Sequence, residues 1–415
     1  MRANRGWVAA VGGMVLALAM VATTAVAEES PNVGRLPGGV ASGIERYDNS
    51  ITGELFADIL GTSISVQRQF VSALPSIYSY SQTAHYQDRA DLGSSNAYAS
   101  ADQKLISSSY GACPTTMCSP GSRWVMWDVP FMVNETKKRD DGYLGYEQTV
   151  SGFATGISRL IGESSAIGLA IGYDYRKLNG RDGYHMKNRA DAFHAALYGG
   201  TNIGHFFFDA YAGYSRTWNR THRSVYDPVG TSQYAGNYCD TVLSAGAKAS
   251  YVWIFSNDIR ITPSVGIDVS HVRSSGFTET QVTNGGGNND RLGVDKNTYT
   301  KIAVPIMVSA NKTFSSSRFL CFGGKPSLWT PEVRGGYVPQ FGSKRARADV
   351  AFLDGANAGA RFSSKSTSMA DDYGTVGAGV KIKLRDKYIF AVDYDYSFAS
   401  EYQNHTVTAM YGVSF

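Results

Sequence analysis

The sequence predicts an all-β chain: a twelve-stranded antiparallel transmembrane β-barrel with an N-terminal α-helix in its pore. Three observations predict this. Segments of alternating apolar and polar residues follow one another from Trp124 to the end of the chain. The connections between them sort into short and long ones in alternation. An amphipathic run precedes the first segment and matches no strand period.

The segments lie near 123–134, 146–160, 166–178, 187–202, 206–222, 237–255, 259–277, 297–314, 327–341, 373–385, 388–400 and 404–415. Twelve is an even number, as single-chain bacterial barrels require. Several alternations are clean. Ile167, Leu169, Ile171, Tyr173 and Tyr175 share one face, and so do Ile259, Ile261, Val265, Ile267 and Val269. Val376 to Leu384 sets alternate aliphatic residues against Lys381 and Lys383, with Arg385 next on the basic face. Tyr388 to Phe398 sets aromatic and aliphatic residues against Asp393 and Asp395. The apolar faces are expected to meet lipid and the charged faces to line the lumen. Lys248, Arg260, Asp268, Lys301, Lys381, Lys383, Asp393 and Asp395 should therefore point inward. Mixed signs suit a lumen that grips a polar plug, and they equally suit one that holds water. The second, fourth and ninth segments alternate poorly.

The connections supply an independent check. With the first strand running outward, the turns at 161–165, 203–205, 256–258, 315–326 and 386–387 are periplasmic, and all but 315–326 are very short. The connections at 135–145, 224–236, 278–296 and 342–372 are then extracellular and long, while 401–403 is short. A soluble sandwich has no reason to sort its loops this way. Closure also removes the open sheet edges that hydrocarbon could not satisfy.

The first 27 residues read as a secretory signal peptide: Arg2 and Arg5, an apolar stretch from Trp7 to Val21, and Ala25-Val26-Ala27 ahead of Glu28. Export through the Sec pathway follows from that reading. Composition narrows the class further. Charged residues make up 18% of the chain, and the 26 Tyr and 45 Gly suit aromatic girdles and crowded lumens. The net charge of +4 falls to +2 once Arg2 and Arg5 leave with the signal, which argues against a nucleic-acid partner. No second long apolar run is present to make a helical membrane protein.

Residues 28–49 are polar and rich in Gly, Pro and Asn, and are expected to be disordered. From Ser50 to Leu74, Leu55, Ile59, Ile64, Phe70 and Leu74 recur near helical spacing. Ser50 or Asn49 can cap the start, Glu54 suits the first turn, and Pro75 ends the run. A helix of this length spans roughly 35 Å, enough to thread a barrel. Ser50, Glu54, Asp58 and Arg68 are its polar candidates for pairing with lumen charges, with the carboxylates expected near Lys381, Lys383 and Arg385 and Arg68 near an acid.

Ile51-Thr52-Gly53-Glu54-Leu55-Phe56-Ala57 is similar to the "L-S-G-E-x-x-A" stretch that precedes the barrel of autotransporters. Trp124-Val125-Met126-Trp127 opens a barrel of the same type, and the closing strand ends Tyr411-Gly412-Val413-Ser414-Phe415. The resemblance covers residues 123–415 and, with the linker, most of the mature chain. It implies a Gram-negative outer-membrane translocator whose helix links an exported passenger to the first strand. It also implies that Tyr411, Val413 and Phe415 belong to a signal read by the barrel-assembly machinery, with periplasmic chaperones as further partners. The chain departs from the family pattern ahead of the linker. Only 28–49 stands where a passenger of hundreds of residues is usual, so a vestigial passenger is expected. The division is then signal peptide 1–27, passenger 28–49, pore helix and linker 50–122, and barrel 123–415. The implied activity is translocation or anchoring of the chain's own N-terminal segment. A pore or adhesin-like surface protein without export is the second reading.

Other candidate groups are weaker. Cys113 and Cys118 flank four residues and read either as a small disulfide loop, suited to an oxidising compartment, or as free thiols. His185, His222, His271 and His405 fall near the outer rim, but Asp268 and His271 stand three apart on a strand and face opposite sides. No catalytic set is expected, and no metal or cofactor. Lys344-Arg345-Ala346-Arg347 reads as a solvated loop run that could also meet lipopolysaccharide phosphates. Gly285 to Asn289 reads as a flexible loop tip. A monomer surrounded by outer-membrane lipid and lipopolysaccharide is expected.

Overall fold

A computed structural model of the chain describes residues 67, 68, 70–72 and 74, and residues 124–414 apart from 139–144, 162–164, 182–185, 228–229, 256–258, 286–290, 317–326, 343–345, 356–357, 366–371 and 385–387. The expected signal peptide and passenger, most of the expected linker, Ser50, Glu54, Asp58, Cys113, Cys118, His185, Arg385 and Phe415 lie outside the described residues.

The strands are β1 (Trp124–Lys137), β2 (Tyr146–Ile161), β3 (Ser165–Gly180), β4 (Met186–Ile203), β5 (Phe206–Asp227), β6 (Gly230–Tyr251), β7 (Trp253–Ile254), β8 (Ile259–Ser274), β9 (Phe277–Thr278) and β10 (Thr280–Thr283). They continue with β11 (Leu292–Val294), β12 (Asn297–Ala303), β13 (Ile306–Lys312), β14 (Phe314–Ser316), β15 (Ser327–Gly342), β16 (Arg347–Phe352), β17 (Arg361–Lys365), β18 (Asp372–Leu384), β19 (Tyr388–Ala399) and β20 (Tyr402–Ser414). Twelve staves close into one antiparallel barrel: β1 to β6 in order, then β8, the broken stave β12–β13, β15, β18, β19 and β20. β20 returns to pair with β1 from Tyr402↔Lys137 to Ser414↔Val125, which seals the sheet. Every predicted strand is present, and the predicted twelve-stranded closure is observed.

The barrel is apolar outside, and its inward face mixes polar and charged groups with apolar clusters. The pattern along β1 alternates strictly, with Trp124, Met126 and Met132 exposed and Val125, Trp127, Val129 and Glu135 buried. Leu169, Ile171, Phe153, Val333, Val392 and Phe398 stand exposed around the wall, while Asp174, Arg176, Asn188, His194, Asp240 and Lys383 are buried. Such a surface is stable only where hydrocarbon covers it.

The differences from the sequence reading have local causes. Pro305 has no N–H for the ladder and splits the eighth stave into β12 and β13. The chain there is held by Val304 N–H to the Pro339 carbonyl (3.0 Å) and Gly266 N–H to the Pro305 carbonyl (2.9 Å). The expected long loop at 224–236 is mostly strand. β5 and β6 pair from Phe206↔Tyr251 up to Asp227↔Gly230, leaving only 228–229 between them. At the opposite end the β4–β5 turn is two residues, with Gly204 at φ 58°, a left-handed conformation that glycine adopts without strain. The long connections at 278–296 and 342–372 also carry strands, and these build a second sheet in the order β17-β16-β11-β9.

Candidate functional site in the barrel lumen

Inward positions follow from the register. Arg334 on β15 lies opposite Gly377 on β18, which lies opposite Asp395 on β19. With no side chain between them, Arg334 reaches both acids. Its Nε donates to Asp395 Oδ1 (2.7 Å), Nη2 to Asp395 Oδ2 (2.6 Å) and Nη1 to Asp393 Oδ1 (2.7 Å). Glu332 adds an ion pair at 3.5 Å. Lys381 and Lys383 share this wall, with Lys383 2% exposed. On the other side, Tyr211 O–H donates to Asp268 (2.8 Å), and Lys248 stands 3.4 Å from Asp209. Arg260 Nη1 donates to Thr313 (3.3 Å), and Lys301 is buried. The structure thus places all eight of the charged residues expected inside on the inward face. The sequence reading missed Arg334. Its alternation with Glu332 in a strand broken by Pro331, Gly335 and Gly336 hid the periodicity.

The lumen is filled next to β1–β4. Gln67, Arg68, Phe70, Val71 and Ser72 form a helical segment. Phe70 is fully buried among Trp127, Val129, Ala154, Ala170, Ala196 and Tyr198. Its ring stacks on the imidazole of His194, with centroids 4.9 Å apart and planes 17° apart. Gly172 makes the seat, because a Cβ there would lie 2.7 Å from the Phe70 ring. Behind the ring, His194 is held from both sides. Nδ1 meets Ser215 Oγ at 2.6 Å, and Nε2 is hydrogen-bonded to Asp174. The residue types are those of a hydrolytic triad, but Phe70 covers the imidazole and Ser215 is 1% exposed. The set orients a ring that supports the linker. Below it, Trp127 Nε1–H donates to Tyr198 Oη (2.6 Å), which also meets Ser158 Oγ (2.5 Å).

Arg68 has a neutral hydrogen-bond partner and an acidic neighbour, Asp268. Its Nη1 donates to the amide oxygen of Gln340 (3.1 Å), a neutral acceptor. The acids of β19 are held by Arg334, and the acid that interacts electrostatically with Arg68 is Asp268. Beside Val71 and Leu74 a cavity of about 180 Å³ remains, bordered by Asp209, Tyr211, Lys248 and Asp268.

The mouth at the long-connection end carries a folded lid. The second sheet packs Leu292, Ala346, Ala348, Val350 and Phe352 against inward residues of six staves: Tyr146, Leu178, Met186, Tyr238 with Val242, Val272 and Tyr299. A cluster that touches β2, β3, β4, β6, β8 and β12 together crosses the mouth. Phe277 stacks on Tyr238 at 4.7 Å. A buried ion pair pins the lid: Arg223 donates to both oxygens of Glu279 (3.0 and 2.6 Å), and Leu292 N–H donates to the same carboxylate (3.0 Å). Arg223 also lies over the Tyr234 ring. Burial of such a charge pair requires this full set of partners.

The remaining candidates stay apart. Arg347 pairs with Asp349 at the lid surface, 2.9 Å away, and Ala346 within the basic run is buried. His271 faces outward and bonds Thr300 (2.8 Å), while Asp268 faces inward. His405 also faces outward, against Tyr394. Cys239 is a free thiol. Among the described residues no group of His, Cys, Asp and Glu could hold a metal ion.

Comparison with known proteins agrees with this architecture. The Autotransporter beta-domain profile matches residues 131–395. Outer membrane protein A of Rickettsia rickettsii is 26% identical over 167 residues, 38% of this chain and 7% of that protein. Outer membrane protein A of Rickettsia conorii is 25% identical over 38% of this chain and 8% of its own length. The chain therefore spans under a tenth of the curated relatives it matches. Among solved structures, the translocator domain of the autotransporter NalP from Neisseria meningitidis superimposes with a TM-score of 0.53 at 12% identity, covering 71% of this chain and 89% of that one. The beta domain of the Bordetella autotransporter BrkA gives 0.50 at 18% identity, covering 71% and 100%. The chain belongs to the autotransporter β-domain family, an outer-membrane β-barrel whose lumen is lined with charge and crossed at one mouth by its own loops.

Proposed function

We propose that this barrel translocates its own N-terminal segment and afterwards anchors it, with residues 50–74 as a helix that stays in the lumen. The seat of Phe70 carries the reading. A fully buried aromatic ring stacked on His194, in a pocket that exists because residue 172 is glycine, is a made-to-fit contact between linker and wall. The work is mechanical and uses no cofactor. The polar stretch 28–49 would be carried toward the cell surface, and the lid would close the mouth behind or around it. The lid also weighs against an open diffusion pore, because an apolar cluster of this size at the mouth excludes water.

The test has two parts. Phe70→Cys with Gly172→Cys should crosslink under oxidation in the assembled barrel and should not when either change is made alone. An epitope placed between Glu28 and Asn49 should bind antibody on intact cells. A crosslink without surface epitope leaves a plugged barrel that does not export. The absence of a crosslink in a correctly heat-modifiable barrel removes the helix from the lumen.

A further inference from the structure

The outward face of β3, β4, β5 and β8 ends in a band of positive charge just beyond the lipid-facing girdle. Lys177 lies directly opposite Arg189, and Arg189 directly opposite Arg220. Lys187 stands one position higher on the same face of β4. Arg273 lies opposite Thr241, which lies opposite Arg216. All six cations are exposed. The acids on this face are few: Asp191 pairs with Arg220 at 2.5 Å, and Glu147 pairs with Arg181 at 2.9 Å. Among the described residues Lys177, Lys187, Arg189 and Arg273 have no ion-pair or hydrogen-bond partner. Like charges directly opposite one another on neighbouring strands destabilise a sheet. With Arg220 taken by Asp191, Lys177 and Arg189 remain opposite one another and call for an anion from outside the chain.

The depth of the band identifies the anion. Below Lys177, Arg189 and Arg220 on their own strands, Tyr175, Tyr173, Phe193, Trp218 and Tyr214 point outward, with Arg216 between the last two, followed by Ile171, Leu169 and Leu197. Aromatic rings of this kind sit at the headgroup level of a bilayer, and aliphatic residues sit in hydrocarbon. Lys177 is two residues beyond Tyr175, so it stands about 5–7 Å further out along the strand, among headgroups. The band is also one-sided. The outward positions of β15, β18, β19 and β20 carry no Lys or Arg. A diffuse attraction to an anionic surface would need no such asymmetry, whereas a bound headgroup would. Guanidinium forks suit phosphate oxygens in bidentate geometry, and an ammonium adds a point charge.

We propose that this face is a binding site for a phosphorylated glycolipid of the outer leaflet, gripped by Lys177, Lys187, Arg189 and Arg273 with its acyl chains along the aromatic and aliphatic wall below. The inference rests on the reading that the long-loop end of the barrel faces outward from the cell.

The test uses the purified full chain in detergent micelles, with bisphosphorylated lipid A as the probe and native mass spectrometry as the readout. Wild-type protein should retain lipid A and should retain its dephosphorylated counterpart at least about tenfold less. Lys177→Gln, Arg189→Gln and Arg273→Gln combined should lose lipid A by a similar factor. Arg347→Gln with Arg361→Gln, which removes charge from the lid, should not. Equal retention of both lipids by the wild type overturns the site whether or not any variant folds. So does equal loss from the lid variant, or displacement of lipid A by millimolar inorganic phosphate. Thiol labelling of an Arg361→Cys variant on intact cells reports orientation separately. Lipid A binding without surface labelling would keep the anion site and refute its placement in the outer leaflet.

Discussion

Arg334 and Asp395 are joined by two hydrogen bonds across a third strand because the residue between them is Gly377. A Cβ at Gly377 would lie 2.1 Å from Asp395 Oδ1 and 3.0 Å from Arg334 Nε. Gly379 plays the same part for Asp393, where a Cβ would lie 2.1 Å from Oδ1. Two glycines on one strand thus open the space in which one guanidinium holds two carboxylates.

Gly377→Ala is therefore expected to break the clamp. The pair is partly screened, so the loss should be about 1–2 kcal/mol, below the range for fully buried pairs. The temperature at which the barrel loses its compact gel mobility should fall by about 2–8 °C. Gly335→Ala, where a Cβ meets nothing closer than 3.7 Å, should change it little. Equal shifts for the two variants would mean that the clamp adds nothing.

Gly172→Val should unseat Phe70, since the smallest side chain there already meets the ring at 2.7 Å. The barrel wall should still assemble, because its ladder closes without the linker. Protease should then reach residues 67–74 in detergent, and planar bilayers should show a larger conductance. His194→Ala should give a weaker version of the same phenotype, through loss of the stacking partner. An unchanged conductance from Gly172→Val would place the blockade elsewhere.

The lid should open when a charge enters its core. Val350 and Leu292 are fully buried at the mouth. Val350→Asp puts an unpaired carboxylate into that cluster, at a cost of several kcal/mol. The outer strands β9, β11, β16 and β17 should lose amide-exchange protection, while β1 to β6 below them keep theirs. Protection retained in β16 would show that the lid is held by its backbone ladder and not by its apolar core. Glu279→Gln should loosen the lid less than Glu279→Ala, because the amide still accepts one of the Arg223 bonds.

Acid should act on the lid at one identified contact. Arg291 hydrogen-bonds Asp354, and that bond holds the Asp354 carboxyl below its ordinary value of 3.8. A carboxyl whose pKa is depressed by folding stabilises the fold above the ordinary value, and that help is lost as pH falls through the lowered one. Lid exchange should thus be unchanged from pH 7 to about pH 5 and should rise only below about pH 4. Both groups are partly exposed, so the effect is small, and Asp354→Asn should abolish its pH dependence. A rise beginning near pH 6 would point to a histidine instead.

Legibility from sequence followed the lumen's contents. β3, β18, β19 and β20 could be read directly, because each has an apolar outward face and a polar or small inward one. β4 could not. Its inward face carries Met186, Ala190, Ala192 and Ala196. Those residues are apolar because the lid packs on the upper part of the lumen and the Phe70 cluster fills the lower. An aqueous lumen writes a period of two, and a filled lumen erases it. The candidate site was legible only as charge on particular strands. Which charges meet depended on register across three strands and on Gly377, which in sequence looks like any other glycine.

The sequence by itself determined that this is a twelve-stranded barrel, which faces of its clean strands are apolar, and which end carries the long connections. Those features are local: period-two alternation and turn length are set within ten or fifteen residues. Only the tertiary structure decided that β9, β11, β16 and β17 fold together as a lid, that Phe70 sits on His194, and that Arg334 takes both acids of β19. Each of these joins segments tens to hundreds of residues apart, through strands of two to six residues or a single side chain. Pieces that short carry no period of their own. They acquire a conformation only when the closed wall brings their partners within reach.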